Sequence, residues 1–312
     1  MGQDTEIQYL VVAKHPIFMS NIVKNYQKIL EVINTLELPI NQHVTAGRKV
    51  KMSDIEVVAL SLTSEYMSID SENSLFNQLK SAPFVNLIER SQFNKRRRKL
   101  FSYAELIREQ LYKRFNEFED YFVIDSMPLE ICKMARHRRV KVCREVFETA
   151  PDKGFCASQN SWFFGYKLHG VCAVSGVFQS IDLTKASVHD VHFLKDIKRQ
   201  VSDCVLLGDK GYLSETIQLD LFETANIKLE TPKRTNQKDY IKQPYIFRKT
   251  RKRIETLFSQ LCDQFMIRRN YAKTFDGFKT RILAKITSLT LIQYMNKFIF
   301  DRPINNIKIQ IT

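Results

Sequence analysis

The feature that most constrains this chain is a change of hydrophobic period near residue 120. Before it, apolar residues recur at helical spacing. Between Pro16 and Leu36 they fall at Ile22, Val23, Tyr26, Ile29, Leu30 and Ile33, the stripe of an amphipathic helix. Ser53 with Glu56 forms a capping box that opens a second helix through Ile55, Val58, Ala59 and Leu62. A shorter helix is expected over Asn73–Ser81, stopped by Pro83, and a long one over Ser91–Phe118. After residue 120 the spacing changes. Tyr121-Phe122-Val123-Ile124 is a short run of strand formers that ends in Asp125. A basic, irregular stretch follows, with Lys133, Arg136, His137, Arg138, Arg139, Lys141 and Arg144. Trp162–Val174 and Val177–Leu183 read as strands joined by a turn at Gly176. Asp190–Gln200 fits a helix, and Cys204–Leu207 a strand ending at Gly208-Asp209. Ser214–Thr224 is helical, Ile227–Thr231 is a last strand before Pro232, and helical spacing returns over Ile246–Arg269.

From residue 121 the order is strand, strand, strand, helix, strand, helix, strand, helix. Three antiparallel strands followed by parallel strand–helix units make the ribonuclease H-like plan, an α/β fold with a mixed sheet. The expected division is an α-helical domain over residues 1–118, an α/β domain over 119–300 and a tail over 301–312.

The charge balance points to a polyanion. Lys and Arg number 48 against 34 Asp and Glu, a net charge of +14. Nucleic acid is the commonest polyanion that such a field attracts. No apolar run is long enough to span a bilayer, and the first ten residues carry Asp4 and Glu6, so neither a membrane span nor a secretory signal is expected. The six cysteines form no C-x-x-C pair. Their spacing argues for free thiols in a reducing cytosol rather than for a zinc site.

Three acids fall where the plan converges them. Asp125 ends the first strand, Asp209 ends the strand expected beside it, and Glu255 lies on the helix that follows. Open α/β sheets place their sites at the carboxyl ends of strands. Phosphodiester cleavage needs an activated water and a stabilised leaving oxygen, which two divalent ions held by carboxylates supply. Mg²⁺, with Mn²⁺ as a substitute, prefers such hard oxygen ligands. Each acid alone has a plainer use: an Asp after a strand often caps a turn, and a Glu on a basic helix often pairs with Arg251 or Lys252.

Four motifs carry a resemblance. Val123-Ile124-Asp125-Ser126-Met127-Pro128-Leu129, Gly165-Tyr166-Lys167-Leu168-His169, Leu207-Gly208-Asp209-Lys210-Gly211-Tyr212 and Arg251-Lys252-Arg253-Ile254-Glu255-Thr256-Leu257-Phe258 resemble the core blocks of DDE insertion-sequence transposases. With Thr231-Pro232-Lys233-Arg234-Thr235-Asn236 and the basic segment after Asp125, the chain looks most like insertion-sequence family 982. The resemblance implies Asp125, Asp209 and Glu255 as a metal-binding catalytic triad, and double-stranded DNA as substrate, both transposon ends and target. It implies a homodimer or higher homo-oligomer on paired ends. Related transposases place a Tyr, an Arg and a Lys around the Glu; here those positions hold Arg248, Arg251 and Cys262, so only Arg251 matches.

Supporting DNA contacts are expected from Arg251 and Arg248 beside the Glu, and from Lys210 and Tyr212 after Asp209. Lys167 on its strand, Arg97 and Arg98 in the Lys95–Lys99 run, and Arg138 in the basic segment complete the set. Three or four short helices with that run fit either a helix-turn-helix module or an ordinary helical bundle. His169 shares a strand face with Lys167 and is either near the site or a core histidine. Asp190 is expected as a helix cap and as the reserve acid. Trp162 and Phe163-Phe164 suit core packing, or stacking on an unpaired base. Two other functions fit the same sequence: a structure-selective nuclease on this fold, and a domesticated transposase that binds DNA without cutting it.

Overall fold

The computed structural model describes residues 14–38, 50–80, 84, 87–115, 119–233, 240–242, 244–308 and 310–311, with side chains from residue 21 onward. The expected stops at Ser81 and Pro83, the end of the helix at Phe118, and Arg234-Thr235-Asn236 lie outside the described residues. The chain divides into two compact units. One takes the residues up to Leu111 together with Gln264–Tyr271 and those from Thr280 onward; the other takes Tyr112–Asp263 and Ala272–Lys279. A single division at residues 118–119 contains neither return of the chain.

The first unit is helical: α1 (Lys14–Asn34), α2 (Asp54–Tyr66), α3 (Glu72–Lys80), α4 (Arg90–Lys99) and α5 (Phe101–Lys113). Ile22, Ile29 and Ile33 are buried where α1 packs on α2. Ser53 caps α2 as its sequence demands: its hydroxyl accepts from the Glu56 N–H, and the Glu56 carboxylate accepts from the Ser53 N–H. The expected long helix from Ser91 is two helices broken at Leu100, whose N–H closes α4 on the Arg96 carbonyl. The apolar stripe Phe93, Leu100, Ala104, Ile107, Leu111 is buried throughout and continues across the break, so its spacing does not register it.

A fully buried carboxylate, Glu65 of α2, organises this unit. Arg281 reaches it through Nε at 3.0 Å, Lys285 donates to its other oxygen, and Arg97 lies at 3.9 Å. Burial alone raises a carboxyl pKa, but Lys285, Arg281 and Arg97 outweigh it and hold Glu65 below its ordinary value.

The second unit is built on a six-stranded sheet: β1 (Tyr121–Cys132), β2 (Asp152–Cys156), β3 (Ser161–Ala173), β4 (Phe178–Lys185), β5 (Cys204–Leu207) and β6 (Ile227–Glu230). β3 pairs antiparallel with β1 on one side and with β2 and β4 on the other. β5 runs parallel to β1, and β6 parallel to β5. The order β4-β3-β1-β5-β6, with β2 added to the β3 edge, is the ribonuclease H-like arrangement. Gly176 makes the β3–β4 turn at φ +94°, a conformation that favours glycine.

Helices α6 (Asp190–Ile197), α7 (Glu215–Ala225) and α8 (Tyr245–Asp263) complete this unit. Neighbouring residues of a strand face opposite ways. At Gly170, a Cβ would meet Phe178 at 2.7 Å and Ile254 of α8 at 3.6 Å; at His169, the ring stacks on Phe193 of α6 at 4.8 Å. The two helices therefore cover opposite faces of β3. The last helix, α9 (Phe275–Phe298), runs on into the residues counted with the first unit.

Candidate active site

β1 is longer than its opening run suggests. Its parallel pairing with β5 ends at Val123–Leu207, but its pairing with β3 continues to Cys132. From Ile124 onward β1 has no β5 partner, and Pro128 sits in that free-edge portion, where a missing N–H costs no ladder bond to β5. Asp125 is thus inside a strand rather than at its end. It still stands just past the carboxyl end of the parallel pair, as does Asp209 after Leu207 and Gly208.

Each carboxylate is fixed by one oxygen. Oδ1 of Asp125 accepts from the Ser126 N–H at 2.8 Å. Oδ1 of Asp209 accepts from the Gly211 N–H at 2.7 Å, which starts the tight turn Lys210–Tyr212. Asp209 therefore fills the plainer turn-capping use and stands at the site as well. Burial, followed by the charges of Asp209 and Asp190, pushes the Asp125 carboxyl up to about 7, against the opposing pull of the Ser126 N–H and Arg251.

Asp190 joins this group. Its Oδ1 accepts from the Ser126 hydroxyl at 3.1 Å and from the Lys167 ammonium at 3.0 Å. Lys167 also donates to the Val188 carbonyl. α6 packs on the Lys210–Tyr212 turn, so Asp190 lies beside Asp209: a Cβ on Gly211 would be 2.9 Å from Oδ1 of Asp209 and 3.7 Å from Oδ2 of Asp190. Tyr212 is fully buried beside them, with Ser126 as its hydroxyl's neighbour. Burial and the charges of Asp190, Asp125 and Asp209 raise its phenol well above the ordinary value.

The structure thus gathers Asp125, Asp209, Asp190 and Arg251. Glu255 is exposed on α8, one position beyond the buried Ile254. Among the described residues, no three His, Cys, Asp or Glu side chains come close enough together to hold a metal ion. The predicted trio is not closed around one point.

The basic residues divide. Lys210, Arg138 and Arg248 are exposed, the last over the Tyr245 ring at 5.9 Å, and Arg98 is half-buried. Three expectations of DNA contact meet a different placement. Arg97 is buried and paired with Glu72 at 3.2 Å, because α4 turns it inward onto the acids of the first unit. Tyr212 is buried beside the acids. Lys167 is committed to Asp190. His169 is a core histidine: its Nε2 meets the Thr184 hydroxyl at 2.8 Å, and burial drives its pKa down to about 4. The aromatic run splits as well, with Phe163 and Phe164 buried and Trp162 exposed.

The family description transposase DDE domain matches residues 116–291, more than half of the chain. The chain belongs to the transposase DDE domain family. It is a DDE transposase, and the matched stretch takes in the sheet, α6 to α8 and most of α9. A solved structure described as a Mos1 transposase paired-end complex with left transposon end is similar at 12% identity. That likeness covers 75% of this transposase and 83% of that chain, with a TM-score of 0.22, too low to carry a structural argument. Among curated proteins, none matches. No helix of the described residues is long and apolar enough to cross a membrane.

Proposed function

We propose that this transposase hydrolyses DNA at transposon ends and then joins the freed 3′-hydroxyl to target DNA, with Asp125, Asp209 and Glu255 as its catalytic carboxylates. The observation that carries this reading is the pair Asp125 and Asp209, each two residues beyond the last pair of two adjacent parallel strands, in a chain of this family. Mg²⁺, or Mn²⁺ in its place, suits hard oxygen donors such as these. Asp125, Asp209 and Glu255 would hold two such ions, which would supply an activated water and stabilise the leaving oxygen. Asp125 supports that assignment: a carboxyl destabilised by burial and by two neighbouring acids gains most from a nearby cation. Glu255, exposed on α8, would complete the set.

The chain's own groups do the positioning. The Ser126 and Gly211 N–H groups hold one oxygen of each Asp. Arg251, close enough to lower the Asp125 pKa, is placed to take a phosphate oxygen. Lys210, Arg248, Arg98 and Arg138 extend the contact to the DNA backbone. Lys167 and Asp190 act as positioning residues, tying β1, β3 and α6 together beneath the acids. The motifs further support membership of insertion-sequence family 982, action as a homodimer or higher oligomer on paired ends, and work in the cytoplasm at the nucleoid.

The test is cleavage of a labelled duplex, taken from the DNA flanking the gene, in Mn²⁺. Wild type should nick it and join the product to a second duplex. Asp125→Ala, Asp209→Ala and Glu255→Ala should bind it and leave it intact. Normal cutting by any one variant removes that residue from the site, and an inert wild type that still binds the ends would leave a DNA-binding protein only.

A further inference from the structure

β2 and β3 form a hairpin in which Phe155 stands opposite Trp162. Such partners share a face, and Lys153 and Phe164 lie on the same face further along. Phe164 is buried, but Trp162 is 61% exposed and Phe155 45% exposed. Their rings sit 5.4 Å apart, tilted by 59°. Large aromatic side chains gain stability when buried, so an aromatic pair left in water marks a contact surface.

The surroundings say which contact. The Arg144 guanidinium sits 5.4 Å over the Phe164 ring, and the His137 ring lies 5.8 Å from it. Both belong to the segment between β1 and β2, where Lys133, Arg136, Arg138, Arg139, Lys141 and Arg144 are all exposed. Among the described residues no carboxylate pairs with any of them. An apolar protein surface would leave those cations uncompensated. A nucleotide satisfies both features, because its phosphate takes the cation and its base presents a flat face to the rings. In a duplex that face is already covered by its neighbours, so the base must be unpaired.

We propose that Trp162 and Phe155 are a stacking platform for an unpaired base of the DNA, with Arg144 and the neighbouring cations of the 133–144 segment on its phosphates. This rests on the DNA-acting function proposed above, since bases at a cut strand end are freer to leave the helix.

Trp162 is the only tryptophan in the chain, so intrinsic tryptophan emission from the full-length protein reports on this platform alone. The probe is oligothymidylate of about ten nucleotides, within the usual span of a single-strand site. Unlabelled oligomer serves for emission, and fluorescein-labelled oligomer for anisotropy. Emission should be quenched in step with binding. Inorganic polyphosphate should occupy the cations and leave emission unchanged. Trp162→Ala should weaken oligothymidylate about tenfold, the loss of one stacked base. Trp162→Phe should restore most of the affinity, and thermal melting of both variants controls for folding. Binding by anisotropy with unmoved emission overturns the platform and leaves the DNA function standing. Failure of both single-strand and duplex DNA to bind overturns both. An emission shift that follows protein concentration without DNA overturns the platform in favour of contact between copies.

Discussion

Asp125 and Asp209 each stand two residues beyond the same parallel pair, Val123 and Leu207. Strands in register carry residues of equal offset side by side, so one ladder sets the level of both carboxylates. Burial of Asp125 is the main cost of this placement in the absence of a counter-ion, and repulsion by Asp209 adds to it.

Neutralising Asp125 should therefore stabilise the metal-free protein. Its folded pKa of about 7 lies above the ordinary carboxylate value of 3.8. The unfolded chain gives up this proton first, so stability falls as pH rises from about 4 to about 7 and stays lower above that. Asp125→Asn should gain on the order of 4 kcal/mol over wild type in EDTA at pH 8 and little at pH 4, as a carboxyl shifted from 3.8 to about 7 implies. Urea denaturation at the two pH values checks it; an equal difference at both would remove the repulsion argument.

Gly211 leaves room for the Asp209 carboxylate. A methyl group there would sit 2.9 Å from Oδ1 of Asp209, so that oxygen has to move. Gly211 is exposed, and Gly211→Ala should leave the melting temperature nearly unchanged. Cleavage should fall about 100-fold, the typical effect of displacing a catalytic group by an ångström. Unimpaired cleavage would show that Asp209 does not need its present position.

Arg97 and Arg138 should part company despite their similar sequence settings. Arg97→Ala removes a buried cation from Glu65 and Glu72 and should cost about 3 kcal/mol of stability. At a temperature where the variant is folded, its DNA affinity should match wild type. Arg138→Ala should leave the melting curve alone and reduce the slope of log K against log salt by about 1. Fluorescence anisotropy over a salt series reads both, and the reverse pattern would return Arg97 to the DNA.

The buried His169 makes a second pH response, of opposite sign. Its pKa falls from 6.5 to about 4, so the stability it contributes is present above 6.5 and is lost as pH falls toward 4. Wild type should lose about 2 kcal/mol between pH 7 and pH 5 from this residue, the size set by the shift. His169→Gln, which can still pair with Thr184, should lose less over that interval. Parallel pH profiles for the two proteins would refute the assignment.

Much of the second unit was legible because its strands alternate with marked turns. Cys204–Leu207 and the hairpin around Gly176 lie where the apolar pattern places them. β2 escaped because Asp152-Lys153-Gly154-Phe155-Cys156 has no alternation, and its central glycine answers a tertiary need: a Cβ on Gly154 would strike the Ala186 carbonyl at 2.4 Å. α9 escaped for the opposite reason. It is buried on nearly all sides, with Thr287, Ser288, Thr290 and Gln293 inside, so it shows neither one apolar face nor a continuous apolar run. In the site, Asp125 and Asp209 followed from their strands. The part played by Asp190 depends on Ser126 and Lys167, residues distant in sequence that only the folded sheet brings to it. Arg97 reads as one more surface cation when the Lys95–Lys99 run is taken as a block, although its spacing of four from Phe93 and three from Leu100 puts it on the buried face.

The carboxylate of Glu65 has a bearing on synthesis. Its ammonium partner, Lys285, is encoded 220 residues later. At about 5–20 residues per second, on the order of ten to forty seconds pass between the two. The helices made first therefore leave the ribosome before Arg281 and Lys285, two of the three cations around Glu65, exist. A product cut short before Thr280 lacks Arg281 and Lys285, and with them two of the cations that offset the buried Glu65 charge.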